Sequence, residues 1–334
     1  GTLNVAVGAY ALDANTTANS NTAVGNSSLS ANTTGALNTA VGYLAMRDNT
    51  DGDNNVAMGS YALANNETAD NNVAIGYNAL GDSTTGTYNT AVGKAAAATV
   101  TTVSDVTAIG YLAATSNTAG NTTAIGSNAL KANTSGASNT AVGKDAMIAN
   151  TTGDYNVAVG QGALDANTTN DFNTAIGYAA LTTVDSGYNT AVGYVALGLA
   201  STADSNTAVG YRAAYNTTTG GSNVAIGRAA LDANTTGATN VAVGYGALTA
   251  NTTADNNVAV GLNALAANTT GTSNIAVGAY TLDANTTASY NTAIGRSALG
   301  TNTGASNTAV GYNSMFANTT GTQNVSVGAN SLDA

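Results

Sequence analysis

The chain has 334 residues, of which 43% are hydrophobic, and its formal net charge is −11. It contains no Cys, His, Trp or Pro, which excludes disulfides, thiolate or imidazole metal ligands, and triads built on His or Cys. Seven Lys and Arg residues are too few to neutralise a run of phosphates, and no run of about eighteen apolar residues occurs, so we expect no nucleic-acid partner and no membrane insertion.

A five-residue motif, Asn-[Thr/Val]-Ala-[Val/Ile]-Gly, recurs with few substitutions along the whole chain. Its glycines lie 17 residues apart, except for three intervals of 16 that end at Gly126, Gly193 and Gly311. Because even Ala is excluded at the glycine, we expect a positive φ or an approach too close for a Cβ there. Twenty copies of the motif occur, and we expect their glycines to be structural positions of the repeat. The glycines of the first ten copies are Gly8, Gly25, Gly42, Gly59, Gly76, Gly93, Gly110, Gly126, Gly143 and Gly160.

Each repeat begins with a short strand that ends at the motif glycine, counted here as position 0. Positions −3 and −1 are β-branched in nearly every copy, so we expect these two side chains to share the core face. Position −2 is Ala except at Ser326 and should face the opposite way, against another chain or sheet. After the glycine, Leu or Met at +4 predicts a second core contact, followed by a loop rich in Asn, Thr and Gly.

These elements predict a coil of strand, tight turn, second strand and loop. One coil buries too little apolar surface to fold alone, so identical coils must stack on each other. The prediction is an all-β protein, a parallel β-solenoid or β-roll of about 20 coils of 17 residues. We expect one continuous solenoid over residues 1–334 that forms a segment of a longer fibre.

Few residues carry candidate chemistry, and we expect no catalytic residue, cofactor or metal site. Asp pairs at −6 in successive coils, Asp53 with Asp70 and Asp154 with Asp171, serve either as solubilising loop acids or as glycosidase-like carboxylates. Tyr residues recur at +1 and −5 as sugar-stacking platforms or as packing at a subunit seam. Candidate N-glycosylation sites, which turn chemistry also explains, are Asn15, Asn32, Asn150, Asn167, Asn234, Asn251, Asn268, Asn285 and Asn318.

The string Asn-Thr-Ala-Val-Gly-Tyr-x-Ala-Leu, found from Asn38 to Met46 with Met in the last place, resembles the head repeats of trimeric autotransporter adhesins. Similar runs occur in bacteriophage tail fibres. The resemblance implies a left-handed β-roll, three chains side by side, and an extracellular place on a cell surface or a virion. It also implies attachment to a surface, with a cell-surface glycan or matrix component as the ligand.

We therefore expect a structural or adhesive fibre that is not an enzyme and that self-associates, as a homotrimer or an end-to-end filament. Contact between chains along the Ala row at −2 is the residue-level reason for the trimer. Ice binding through Thr rows is the alternative, although a core position for the strand Thr at −3 argues against it. A glycan-cleaving tailspike is a third possibility that depends only on the Asp pairs.

Overall fold

The computed structural model describes residues 1–333 and contains only short strands joined by turns, with no helix in that range. The strands run parallel and stack as a β-solenoid, which confirms the predicted fold class. Residue 334, the last of the predicted solenoid, lies outside the described residues. The chain divides into two compact units, Gly1–Asp171 and Phe172–Ala334.

Unit 1 contains ten strands, one for each copy of the motif. They are β1 Val5–Val7, β2 Thr22–Val24, β3 Thr39–Val41, β4 Val56–Met58, β5 Val73–Ile75, β6 Thr90–Val92, β7 Val106–Ile109, β8 Thr122–Ile125, β9 Thr140–Val142 and β10 Val157–Val159. Each strand pairs in parallel with the next, so that equivalent residues of successive coils lie side by side.

Unit 2 repeats this arrangement with ten further strands. They are β11 Thr174–Ile176, β12 Thr190–Val192, β13 Thr207–Val209, β14 Val224–Ile226, β15 Val241–Val243, β16 Val258–Val260, β17 Ile275–Val277, β18 Thr292–Ile294, β19 Thr308–Val310 and β20 Val325–Val327. Successive strands again pair in parallel and in register from β11 to β20.

The prediction of which strand face is buried was wrong. The Ala at −2 is fully buried from β2 to β19, whereas the residues at −3 and −1 are partly or largely exposed. In β5, for example, Ala74 is 0% exposed while Ile75 is 37% exposed. The Ala row therefore lines the interior of its own coil, and the β-branched rows face outward. The coil is narrow, so only Ala fits beneath the strand.

The Leu or Met at +4 fills the core, as predicted, and it is fully buried in most coils. The segment that carries it is not a second strand, however. Residues at +2 and +4 adopt a left-handed conformation, as at Ser27 (φ 53°) and Leu29 (φ 55°). The backbone still bonds from coil to coil, since the Leu29 N–H donates to the Ala45 carbonyl at 3.0 Å.

Coils of 16 residues do not disturb the strand stack. Strand β7 pairs with β8 in full register, with Ile109 beside Ile125, although their motif glycines are only 16 residues apart. The missing residue is therefore absorbed in the loop.

Candidate functional site

The motif glycines lie where successive coils approach each other most closely. Their φ angles lie between 130° and 143°. A Cβ on Gly42 would stand 2.5 Å from the carbonyl oxygen of Gly59, and the same contact recurs along each unit. Both reasons that the sequence suggested for glycine are therefore present, and the glycines have a structural role.

Two ladders of Asn side chains run inside each unit, and sequence reasoning missed both. At −4, the Nδ2 of Asn38 donates to the Gly52 carbonyl at 2.6 Å, and its Oδ1 accepts the backbone N–H of Asn55 at 2.9 Å. At +7, the Nδ2 of Asn49 donates to the Oδ1 of Asn32 at 2.7 Å. These bonds satisfy the polar groups of the buried loop backbone. The recurrence of Asn at two fixed positions is the signal that could have predicted them.

The nine candidate glycosylation sites belong to the +7 ladder. Seven of them are fully buried, namely Asn32, Asn150, Asn167, Asn234, Asn251, Asn268 and Asn285. Asn15 and Asn318, in the outermost coils, are half-buried, and each donates its Nδ2 to a backbone carbonyl. A glycan on Nδ2 would replace one of the two amide hydrogens and would have no room beside a fully buried side chain, so glycosylation and this packing exclude each other at the seven buried positions.

The Asp pairs hold the loop backbone in place. Oδ1 of Asp70 accepts the N–H of Asp53 at 2.7 Å, and Oδ1 of Asp171 accepts the N–H of Asp154 at 2.7 Å. The hydroxyl of Ser104 accepts a backbone N–H at the same place in another coil. An uncharged side chain performs the same task, and Ala36 and Ala137 stand at this position in other coils, so the fold does not require an acid there.

The outward strand face forms a regular surface on each unit. It consists of the row at −3, which is Thr, Val or Ile, and the row at −1, which is Val, Ile or Met. Met58, Ile75 and Ile109 are 44%, 37% and 38% exposed, and Ile176, Ile226 and Ile294 are 39–41% exposed. We call these two rows the outward face.

Beside the outward face, the residues at +1 form an exposed row rich in Tyr. The rings of Tyr178, Tyr194 and Tyr211 are nearly parallel, with centroids 5.2 and 5.4 Å apart. Arg228 follows in the next coil, with its guanidinium 5.6 Å from the rings of both Tyr211 and Tyr245. The Tyr row was recognised in the sequence, but the cations within it were not.

Two partly buried carboxylates have a shifted pKa. Partial burial raises the pKa of Asp165 and of Asp283, and hydrogen bonds from nearby backbone N–H groups only partly offset this effect. Both lie at +5 in their coils.

Within residues 1–333, no cluster of three or more carboxylates could hold a metal ion, and no helix suited to crossing a bilayer is found. Comparison of the chain with known protein families and with curated proteins finds no significant match.

Proposed function

We propose that this chain is the shaft of a non-catalytic, extracellular adhesive fibre, on a cell surface or a virion, in which three copies associate side by side through their outward faces. The outward face is the observation that carries this proposal. Exposed apolar surface that continues over many coils favours association, because burial removes it from water. The resemblance of the motif to adhesin head repeats supports the same assembly.

A second copy of this chain is the partner that fits this face best. Its side chains recur in register from coil to coil, at the strand spacing of about 4.8 Å. A partner can match every rung only if it has the same repeat, and another copy does. The Ala row no longer supports the trimer, since it lies inside its own coil, so the assembly now depends on the opposite face.

The test is the mass of the assembled protein. Light scattering after size exclusion should give three times the chain mass of 32.4 kDa. The double variant Ile109→Glu, Val142→Glu places charge on the outward face and should give a monomer with an unchanged circular dichroism spectrum. Thr34→Glu, on an exposed loop, is the control and should remain trimeric. A monomeric parent protein would refute the assembly.

Ice binding is a second candidate function, and the orientation of the strands favours it. The Thr at −3 faces outward rather than into the core, so a partly exposed row on successive strands is formed by Thr90, Thr107, Thr123 and Thr140. Such a row of hydroxyls beside aliphatic side chains could order water. Thermal hysteresis of the purified protein would support this function. Association through the outward face would cover the Thr row and abolish the hysteresis.

Glycan cleavage draws no support from the Asp pairs, because one oxygen of each carboxylate is held by a backbone N–H. The adhesive fibre is therefore proposed without enzymatic activity.

A further inference from the structure

One arrangement of exposed side chains occurs in both units: over five successive coils, three Tyr are followed by a cation and a fourth Tyr. We call each set a tyrosine–cation row. In unit 1 the row is Tyr43, Tyr61, Tyr77, Lys94 and Tyr111, and in unit 2 it is Tyr178, Tyr194, Tyr211, Arg228 and Tyr245. Tyr61 stands at +2, next to a Ser at +1, yet its ring still contacts the rings of Tyr43 and Tyr77 at 5.5 and 5.9 Å.

The cation of each row is held by rings and not by carboxylates. Lys94 Nζ lies 6.0 Å from the ring of Tyr77 and 5.9 Å from that of Tyr111, which is the arrangement of Arg228 in unit 2. Among the described residues, no carboxylate lies within 4.0 Å of either cation, whereas Arg47, Lys144 and Arg212 each pair with an Asp. Both cations are exposed and remain able to pair with an anion from outside.

This pattern runs against the charge of the chain. Acidic residues outnumber Lys and Arg by 18 to 7, yet position +1 holds four cations and no acid. Nor does the fold require these residues, because other coils have Ala9, Asn26, Ser127, Gln161 or Leu262 at the same position. The Tyr rings at +1 are about half exposed, for example 50% at Tyr194 and 46% at Tyr211. Neither packing nor solubility therefore explains the rows.

The geometry defines the ligand that a row would accept. In unit 2 the stacked rings cover much of each other's faces. In unit 1 the ring of Tyr61 meets those of Tyr43 and Tyr77 edge-on, at 85° and 71°. Both rows present phenol hydroxyls together with one cation. Hydroxyls in a line suit a ligand that itself carries many hydroxyls, and the cation suits a carboxylate. One cation in five coils, which span about 19 Å at the strand spacing, matches an isolated anionic group. A densely sulfated chain would instead be repelled by the net charge of −11.

We infer that each tyrosine–cation row binds an acidic saccharide with an isolated carboxylate, which pairs with Lys94 or Arg228 while the phenols bond the sugar hydroxyls. This inference rests on the proposed adhesive function and names its ligand class. The chain then has two sites, one in each unit.

Calorimetric titration with sialyllactose and with a hyaluronan oligosaccharide tests the inference, with neutral lactose and heparin as comparison ligands. At least one acidic saccharide should bind with two sites per chain, and lactose should bind about tenfold more weakly because it lacks the charge-assisted bond. Lys94→Gln and Arg228→Gln should each reduce the stoichiometry to one site, and the double variant should abolish binding.

Lys131→Gln is the matched control, because Lys131 is exposed and lies outside both rows, and it should leave two sites. Tyr194→Phe keeps the stacked ring but removes a hydroxyl, and it should weaken the unit 2 site alone. Absence of binding to both acidic saccharides at millimolar concentration overturns the inference, as do equal binding of lactose, tighter binding of heparin, or unchanged binding by the double variant.

The mass of each variant separates this inference from the proposed assembly. Loss of binding in a protein that remains trimeric supports the site, and absence of binding in a trimeric parent protein refutes the site alone. A monomeric parent protein that binds sialyllactose through the rows refutes the trimer and leaves the site standing.

Discussion

Motif glycines such as Gly143, which have a following coil beside them, have a backbone conformation and a neighbour that both exclude a side chain. Gly143 has φ 139°, and a Cβ there would stand 2.5 Å from the carbonyl oxygen of Gly160. Gly162, at +2, has φ 63°, and a Cβ there would meet nothing closer than the Asp165 carboxylate at 3.7 Å. Gly143 therefore combines an unusual φ with a close approach of the next coil, whereas Gly162 has a left-handed conformation alone.

We predict that Gly143→Ala lowers the free energy of unfolding by more than about 3 kcal/mol, since it combines strain with a backbone clash. Gly162→Ala should cost at most about 1 kcal/mol, because Ala95 has the same left-handed conformation at +2 in another coil. Urea denaturation followed by circular dichroism measures both. Equal losses would mean that the coil spacing is not fixed at the motif glycine.

The +7 ladder of Asn is interrupted inside unit 1 by Ser83 and, in the following coil, by Val100. Asn66 Oδ1 and the hydroxyl of Ser83, which replaces Asn in the next coil, are buried without a hydrogen-bond partner among the described residues. An unmade hydrogen bond of this kind is costly, since both groups have left water.

We predict that Ser83→Asn raises the free energy of unfolding by about 1 kcal/mol, because its amide can donate to Asn66 Oδ1 and so extend the ladder. Asn26→Ala, at an exposed position outside the ladders, is a control that should change stability by less than about 0.5 kcal/mol. A destabilised Ser83→Asn variant would show that the coil lacks room for the amide.

At the scale of the strand, the two faces differ in the size of side chain that they accept. The inner face is held to Ala at −2, because it shares the closely packed interior of the coil with the buried Leu or Met row. The outer face accepts Thr, Val, Ile and Met, because those side chains point out of the coil.

We predict that Ala208→Leu, on the inner face of β13, lowers the free energy of unfolding by at least about 3 kcal/mol through overpacking. Val209→Ser, on the outer face of the same strand, should cost less than about 1 kcal/mol in the dissociated chain. Thermal denaturation of both variants at low concentration makes the comparison. A larger loss of stability in Val209→Ser than in Ala208→Leu would mean that position −1, and not position −2, faces the core.

Sequence reasoning predicted the period, the strand, the parallel stack and the Leu core, because these follow from spacing. It placed the strand on the wrong side because β-branched residues are common in cores and Ala is not distinctive. The constancy of Ala at −2 was the stronger indication of the buried face. A closely packed interior accepts side chains of one size, whereas a face open to solvent accepts several sizes. The Asn ladders and the tyrosine–cation rows could not be read from single coils, because they exist only between neighbours.

For the molecule as a whole, stability is the sum of many similar contacts between adjacent coils within each unit. This stability depends on pH through carboxylates whose pKa differs between the folded and the unfolded chain. The raised pKa of Asp165 and Asp283 means that the folded protein binds protons more tightly there than the unfolded chain does. Their contribution is fully favourable below the unfolded pKa of about 3.9 and is lost as pH rises through the folded pKa.

We predict that Asp165→Asn with Asp283→Asn raises the free energy of unfolding at pH 7 by less than about 1 kcal/mol per site, because both groups remain partly hydrated. The gain should vanish at pH 3, where the aspartates are already protonated. Asp13→Asn, at the same coil position but exposed, is the control and should change the free energy of unfolding by less than about 0.5 kcal/mol. A double variant as pH-dependent as the parent would contradict this account.

The −4 ladder also bears on how the protein ages. Deamidation of Asn needs the following backbone nitrogen to attack the side-chain carbonyl carbon. At Asn38 both partners are held, because the Thr39 N–H donates to the Asn55 carbonyl at 2.8 Å and the side-chain amide is bonded at both ends. Asn is a thermolabile residue type, so folding protects the −4 ladder from spontaneous conversion to Asp and isoaspartate over long times.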